Sequence, residues 1–397
     1  MEQRILDKLK MVKWSDLLHI VKFLLAIVPA FIYKCRHRDL WLICDYELEA
    51  RDNPYWLFKY IREAHPEQEI VYAIDYDFPD YERVACLGPT VRYGSLKHWI
   101  LYLAASKNIS SQKGGKPNAA VCYVLEVILG VLKNTRIFLQ HGIIKDDLSY
   151  LYYKNTKMRL FVTSVPREYA FVRDTFGYPD GYVQMPGLAR YDNLFPETSE
   201  EKYILVMPTW RKWIAHTVTD SVEHAESFAE TEFAKAWKHF LTDPFVSELK
   251  EKNIRFVFYL HRNMQKFASY FEGLSDNVTV AVWPQYDCQD LMKRCLCMVT
   301  DYSSVAMDVA YMRKPVLYYQ FDYEMFRKGH MGLGYYDYHK DGFGPICVDA
   351  DQLIRELKNT MAREYAMEDI YRKRCDAFFY YHDREYCKRN YELIKDI

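Results

Sequence analysis

CMVTDYSSVAMDVAYMRKPVLYY, residues 297–319, is the stretch that decides the fold class. Cys297–Thr300 is a short apolar run that ends in polar residues. Ser304–Met312 repeats its apolar positions with helical spacing, and Val316–Tyr319 is a second β-branched and aromatic run. Pro315 cannot continue the helix and so separates it from the second run. A short strand, a helix and another strand with both strands apolar throughout predict a parallel sheet covered on both faces.

The same alternation extends in both directions. Strands are predicted at Leu40–Cys44, Ile70–Ile74, Thr90–Tyr93, Asn108–Ser110, Arg136–Gln140, Leu160–Thr163 and Tyr182–Gln184, then at Tyr203–Met207, Arg255–Leu260 and Val278–Val282. Helices are predicted at Pro54–Ala64, Leu96–Ala105, Val121–Val131, Pro166–Asp174, Glu232–Thr242, Asp287–Arg294 and Ala350–Arg374. The polar segment NLFPETSEEK, 193–202, divides the series in two and reads as a linker. The expectation is an α/β protein of two Rossmann-type doubly wound parallel-sheet domains facing a cleft. Its parts are a basic amphipathic segment 1–38, domains 39–195 and 203–375, and a C-terminal helix within 376–397 that returns to the first domain. Ala215–Glu232 has no clear pattern and reads as a loop that orders on substrate binding.

Composition narrows the function class. Of 397 residues half are apolar, and the formal net charge is −1, which excludes a disordered chain and a strongly basic nucleic-acid coat. The aromatic content is high, with 35 Tyr, 22 Phe and 8 Trp. Ten cysteines form no CxxC pair and read as buried free thiols in a reducing compartment. The near-zero charge hides an asymmetry: residues 1–38 hold eight basic and three acidic side chains. Within them Trp14–Tyr33 has an apolar face (Leu17, Leu18, Val21, Leu24, Leu25, Val28) and a polar face (Ser15, Asp16, His19, Lys22). Only eleven uncharged residues separate Lys22 from Lys34, against the roughly 20 of a membrane span, and Pro29 is expected to kink or end the helix. The segment therefore reads as a helix lying in an anionic membrane surface. The bland alternative is an amphipathic helix docked on the protein's own core.

Four polar clusters follow predicted strands, where a doubly wound sheet places its ligands. Gln140-His141-Gly142 offers a near-neutral base, with Gly142 giving the sharp turn. Pro208-Thr209-Trp210-Arg211 offers a hydroxyl and a guanidinium fork for an anion. His261-Arg262 adds two more cationic-capable groups. Thr300-Asp301-Tyr302-Ser303-Ser304 leads into a helix N-terminus suited to phosphate, with Asp308 one turn in. Together they suit a nucleotide diphosphate donor. No cluster has metal-ligand spacing, so the expectation is no strict metal requirement and no cofactor beyond the donor.

The pattern resembles the CDP-glycerol and CDP-ribitol phosphotransferases of teichoic acid and capsular polysaccharide synthesis. The matching text is FLQHG at 138–142 with Lys145, TS at 163–164, MPGLARYDNL at 185–194 (Gly187, Arg190, Asp192), MPTWRKW at 207–213, His261, Asp290-Leu291, and 299–319. The match runs from about residue 136 to 345. The resemblance implies a GT-B-type fold and attachment to the cytoplasmic face of a bacterial membrane. It implies His141 as catalytic base acting with His261, and His261, Arg211, Ser303 and Ser304 on the diphosphate of CDP-glycerol or CDP-ribitol. The acceptor it implies is a hydroxyl of a lipid-linked glycan or polymer, with release of CMP. Thr209, Arg262, Thr300 and Asp301 are expected beside the donor, and Gly142, Lys145, Gly187, Arg190, Asp192 and Asp308 as support. The family commonly has Pro after the second His, where this chain has Arg262. The competing reading is a nucleotide-sugar glycosyltransferase on the same sheet pair.

Overall fold

A computed structural model describes residues 14–215, 227–329 and 332–397. The basic residues Arg4, Lys8, Lys10 and Lys13, and 216–226 of the expected substrate loop, lie outside the described residues. The chain forms two compact units. The first comprises residues up to Ile143, Ser149–Asn193 and Tyr381–Ile397; the second comprises Ile144–Leu148 and Leu194–Tyr380.

The first unit opens with α1 (Trp14–Arg36), followed by β1 (Trp41–Cys44), α2 (Asn53–Ala64), β2 (Ile70–Ile74) and β3 (Thr90–Arg92). Then come α3 (Leu96–Ala104), β4 (Lys107–Ser110), β5 (Arg136–Phe138), β6 (Leu160–Val162), α4 (Pro166–Thr175) and β7 (Val183–Gln184). All seven strands are parallel, in the order β3-β2-β1-β4-β5-β6-β7. β1, β2 and β4 are buried along their whole length, as apolar strands between two helical layers must be.

The second unit holds β8 (Lys202–Met207), α5 (Glu232–Leu241), β9 (Ile254–Tyr259), β10 (Val278–Ala281), β11 (Cys297–Thr300), α6 (Val305–Tyr311) and β12 (Val316–Tyr319). β13 (Ile346–Cys347), α7 (Ala350–Ala362) and α8 (Asp369–Phe378) complete it. Its order is β10-β9-β8-β11-β12-β13, again parallel. Each sheet reverses its winding beside its first strand, at β1/β4 and at β8/β11. The chain ends in α9 (Tyr386–Lys395), which belongs to the first unit. There Tyr391 stacks on His65 of the loop after α2 and tilts against Trp41 of β1.

Every strand expected from the sequence forms, to within two residues at either end. Two helices differ. The expected helix 121–131 is an α-turn, Ala119–Tyr123, that widens into a π-turn, Val124–Ile128. The wider turn accompanies a buried Glu126 whose carboxylate meets Lys116, Arg136 and the Tyr102 hydroxyl. The expected helix 350–374 breaks into α7 and α8. Glu364 and Tyr365 take φ of +53° and +60°, and their N–H groups turn back onto Met361 O and Thr360 O. The ten cysteines are unpaired, seven of them buried. The aromatic excess is largely core: Trp41, Trp99, Trp237, Tyr72, Tyr102, Tyr191, Tyr302 and Tyr318 are all fully enclosed.

α1 corrects the sequence reading of its two faces. It runs for 23 residues and passes through Pro29 without ending. It lies on α3, where the small Ala26 and Ala30 are buried. Its polar residues face the protein: the Trp99 indole N–H donates to His19 Nδ1 (3.0 Å), Lys22 Nζ donates to Gly94 O (2.7 Å), and Asn118 Nδ2 donates to Asp16 Oδ1 (2.9 Å). Its apolar residues face outward, with Trp14 88% and Phe31 70% exposed and Leu24, Leu25 and Val28 more than half exposed. By length and composition alone the helix also suffices to cross a membrane.

Candidate functional site

In the first unit the site residue is His141, just past the end of β5. The residue as a whole is exposed. Nδ1 lies 3.4 Å from Ser111 O, after β4. A carbonyl oxygen can only accept, so Nδ1 carries the proton and Nε2 presents its lone pair. The protein crowding the ring is the largest influence on its charge and holds its pKa below 6.5. Asp52 and the Ser111 carbonyl oppose this, and Arg190 adds to it. A neutral ring with an accepting Nε2 is the form a general base needs.

The sharp turn that presents the ring falls on Gln140, at φ +64°, and not on Gly142. Asn53, completely buried at the start of α2, donates to Gln140 O (2.6 Å) and accepts from Arg190 N (2.9 Å). Arg190 Nη1 donates to His141 O (3.0 Å) and pairs with Asp52 (2.8 Å). Next to this group Asp45 takes hydrogen bonds from Ser111 Oγ (2.7 Å), Tyr72 OH (3.0 Å) and Asp52 N (3.2 Å). Burial, and then the Asp52 carboxylate, push the Asp45 pKa up to about 7.

Gly187 and Asp192 serve the fold. A Cβ on Gly187, at φ +85°, meets the Tyr386 ring at 2.4 Å. The Asp192 carboxylate accepts from the N–H groups of Tyr386 and Cys387 (both 2.8 Å), seating the start of α9. Lys145 falls in the second unit. It is buried, ion-paired with Asp146 and set over the Tyr338 ring.

In the second unit the loops after β8 and β11 meet at the switch point. Thr209 N donates to Asp301 Oδ1 (2.8 Å), and Thr300 Oγ1 donates to Met207 O (2.6 Å). Arg211 corrects the expectation of a guanidinium open to phosphate. It is wholly buried, paired with Asp301 (2.8 Å) and with Asp322 (2.8 Å), and it donates to Thr209 O (2.7 Å). The Tyr302 and Phe326 rings lie about 5 Å from its guanidinium carbon. Burial opposes its charge, but the two carboxylates outweigh this and raise its pKa. Asp301 is likewise fully buried and holds the backbone of its own loop through Tyr302 N (2.6 Å). Both residues shape the loops from behind.

Around this brace His261 is exposed, and Trp210, Arg262, Ser303 and Ser304 are half-buried. His261 follows β9, and its Nδ1 accepts from Asn263 N (3.2 Å). That fixes its Nε2 as a donor, the reverse of His141. Trp210 stacks on the ring at 5.9 Å. Arg262 lies over the Trp283 ring. Ser304 makes no side-chain cap bond to α6, and Ser303 Oγ only approaches Val305 N, at 3.5 Å. Thr209 Oγ1 is buried without a partner among the described residues. Asp308 is buried within α6. Lys314 donates to the carbonyls of Met292, Lys293 and Cys295, which closes the C-terminal end of the helix Cys288–Arg294.

Sequence reasoning missed Asp45, Asp52, Asn53 and Asp322. The Asp-Asn-Pro at 52–54 was a readable helix start. Asp322, just past β12, carried no local signal.

The minor teichoic acid biosynthesis protein GgaB of Bacillus subtilis is 33% identical over 95% of this chain and 42% of its own length. A teichoic acid poly(glycerol phosphate) polymerase of Staphylococcus epidermidis is 21% identical over 83% of this chain and 46% of its own. A teichoic acid ribitol-phosphate primase of Bacillus spizizenii matches 43% of the chain at 26% identity. The chain thus spans less than half the length of the first two. The solved structure of the wall teichoic acid polymerase TagF shares the fold, with TM-score 0.64 and 15% identity over 99% of both chains. Residues 30–396 match the family described as CDP-glycerol:poly(glycerophosphate) glycerophosphotransferase, and the chain belongs to that family.

Proposed function

We propose that the chain transfers glycerol phosphate from CDP-glycerol to a hydroxyl of a lipid-linked glycan or teichoic polymer, with release of CMP. His141 Nε2 takes the proton of the acceptor hydroxyl. The acceptor oxygen attacks the phosphorus that bears glycerol, and the bond to the CMP oxygen breaks. His261 Nε2–H, the Ser303 and Ser304 hydroxyls and Thr209 Oγ1 donate to the phosphate oxygens. Arg211 and Asp301 hold the loops that carry these donors. Arg262 adds positive charge beside His261.

The observation that carries this reading is the opposite locking of the two histidines, His141 through Ser111 O and His261 through Asn263 N. One is set to accept a proton and the other to donate to an anion. The test is CMP release by purified protein with CDP-glycerol and a synthetic lipid-linked acceptor. Release in wild type, lost in His141→Ala, is expected; no release from CDP-glycerol overturns the reading. The same reaction with CDP-ribitol is the second reading, favoured by the ribitol-phosphate primase among the relatives. Release from CDP-ribitol alone selects it.

We also propose that the protein attaches peripherally to the cytoplasmic face of the membrane through α1. The outward apolar stripe supports this, as do Lys34 and Arg36 in the last turn. The polar stripe bonds to Gly94, Trp99 and Asn118, so the helix lies along its own unit instead of standing across a bilayer.

A further inference from the structure

Gln140 is a non-glycine residue at φ +64°, a conformation that persists only where its surroundings over-determine it. Here they do. Asn53 Nδ2 holds Gln140 O at 2.6 Å and lies 3.5 Å from Leu139 O. Arg190 Nη1 holds His141 O, and Gln140 Oε1 takes the His141 N–H at 3.1 Å. Asn53 and Arg190 are tied to each other through Arg190 N, and Asp52 ties to both, through Asn53 N (2.8 Å) and the Arg190 guanidinium. Side chains from two distant parts of the sequence, 52–53 and 190, thus fix the backbone on both sides of one imidazole.

We propose that Asn53, Arg190 and Asp52 form a positioning clamp that sets the place and the charge state of the His141 ring. The proposal rests on His141 being the base of the transfer reaction. None of the three needs to touch substrate. Asn53 fixes the elbow, Arg190 joins it to the 187–192 loop, and Asp52 ties the two together through Asn53 N and the Arg190 guanidinium while its charge favours protonation of the ring. The charged groups facing His141 are Asp52 and Arg190, with Asp45 behind Ser111.

The test has two arms. In the kinetic arm Asn53→Ala lowers kcat roughly 30- to 100-fold, the scale of a small misplacement of a catalytic group, with the donor KM within about threefold of wild type. In the spectroscopic arm the His141 imidazole is titrated by NMR in the full chain. Asp52→Asn keeps a good helix cap and an accepting oxygen but removes the charge, and it moves the titration down. Arg190→Gln moves it up. A merely structural role gives no pair of opposite shifts. Unchanged titration in both variants overturns the clamp, as does wild-type kcat in a folded Asn53→Ala. If Asn53→Ala does not fold, the two titrations decide. If wild type releases no CMP from either donor, the function reading fails, and the titrations still test the clamp.

Discussion

Arg211 and Asp322 stand 111 positions apart in sequence and meet through two parallel contacts inside the second unit, Nε to Oδ2 at 2.8 Å and Nη2 to Oδ1 at 3.0 Å. The Tyr302 hydroxyl also donates to Asp322, at 3.1 Å. Removing one member of a buried pair strands the other charge and costs about 3–5 kcal/mol. Arg211→Ala and Asp322→Ala are therefore expected to lower the Tm of the second unit by about 10 °C. A residue that only binds phosphate would raise the donor KM and leave Tm unchanged. Differential scanning calorimetry with and without donor separates the two roles.

The contrast with His141 shows what the sequence could and could not reveal. β-Branched and aromatic runs located all twelve expected strands, because a strand buried on both faces must be apolar throughout. The clusters read at strand ends do lie just past strands in the structure, with His141 after β5, Thr209 after β8, His261 after β9 and the two serines after β11. The sequence did not show that Arg211 is neutralised by a carboxylate contributed from beyond β12, or that Gln140 and not Gly142 takes the left-handed turn. It also did not show which stripe of α1 docks. Each of these depends on partners far away in the chain, and local spacing carries no record of them. The broken helix after Ala362 is the nearer miss: Glu364 and Tyr365 are residues that rarely adopt positive φ, so nothing in their identity announces it.

His141→Ala is expected to cut turnover by about 10²–10⁴-fold with little change in Tm, since the residue as a whole is exposed. The base works deprotonated. Because its pKa lies below 6.5, kcat/KM is expected to fall on acidification with a midpoint on the acid side of 6.5. A pH–rate profile with its acid limb above pH 7 would contradict the assignment.

His98 governs a different pH response. It is fully buried in α3, its Nδ1 accepts from Gly94 N (3.0 Å), and burial, followed by His19, pushes its pKa down to about 3. The unfolded chain binds this proton below about pH 6.5 and the folded one does not. Stability from this group is therefore complete above pH 6.5 and is lost progressively as pH falls toward 3. The loss at pH 5 is about 2 kcal/mol. Denaturant titrations read by Trp fluorescence should show this loss in wild type and a flatter pH dependence in His98→Gln.

Gly187→Ala tests the seat of α9. The added methyl collides with the Tyr386 ring, and the backbone sits at φ +85°. A destabilisation of about 1–3 kcal/mol is expected, together with faster proteolysis near residue 386. Unchanged protease resistance would mean that α9 is held by its remaining contacts, Asp192 with Tyr386 N and Asn390 with Gly187 O.

The outward stripe of α1 gives the remaining prediction. Leu24, Leu25, Val28 and Phe31 are exposed, while the residues that seat the helix are His19, Lys22, Ala26 and Ala30. Changing the first set therefore leaves the helix docked. Each large apolar side chain moved from water into lipid contributes about 2 kcal/mol, so Leu24→Asp with Phe31→Asp should reduce partition onto anionic vesicles at least ~100-fold. The Tm should stay within about 2 °C of wild type, since surface changes have small effects. Lys22→Ala should do the reverse, lowering stability by releasing Gly94 O while largely preserving vesicle binding. Cosedimentation with vesicles of mixed anionic and zwitterionic lipid measures both. If the double Asp variant still sediments like wild type, the apolar face of α1 is not what meets the membrane.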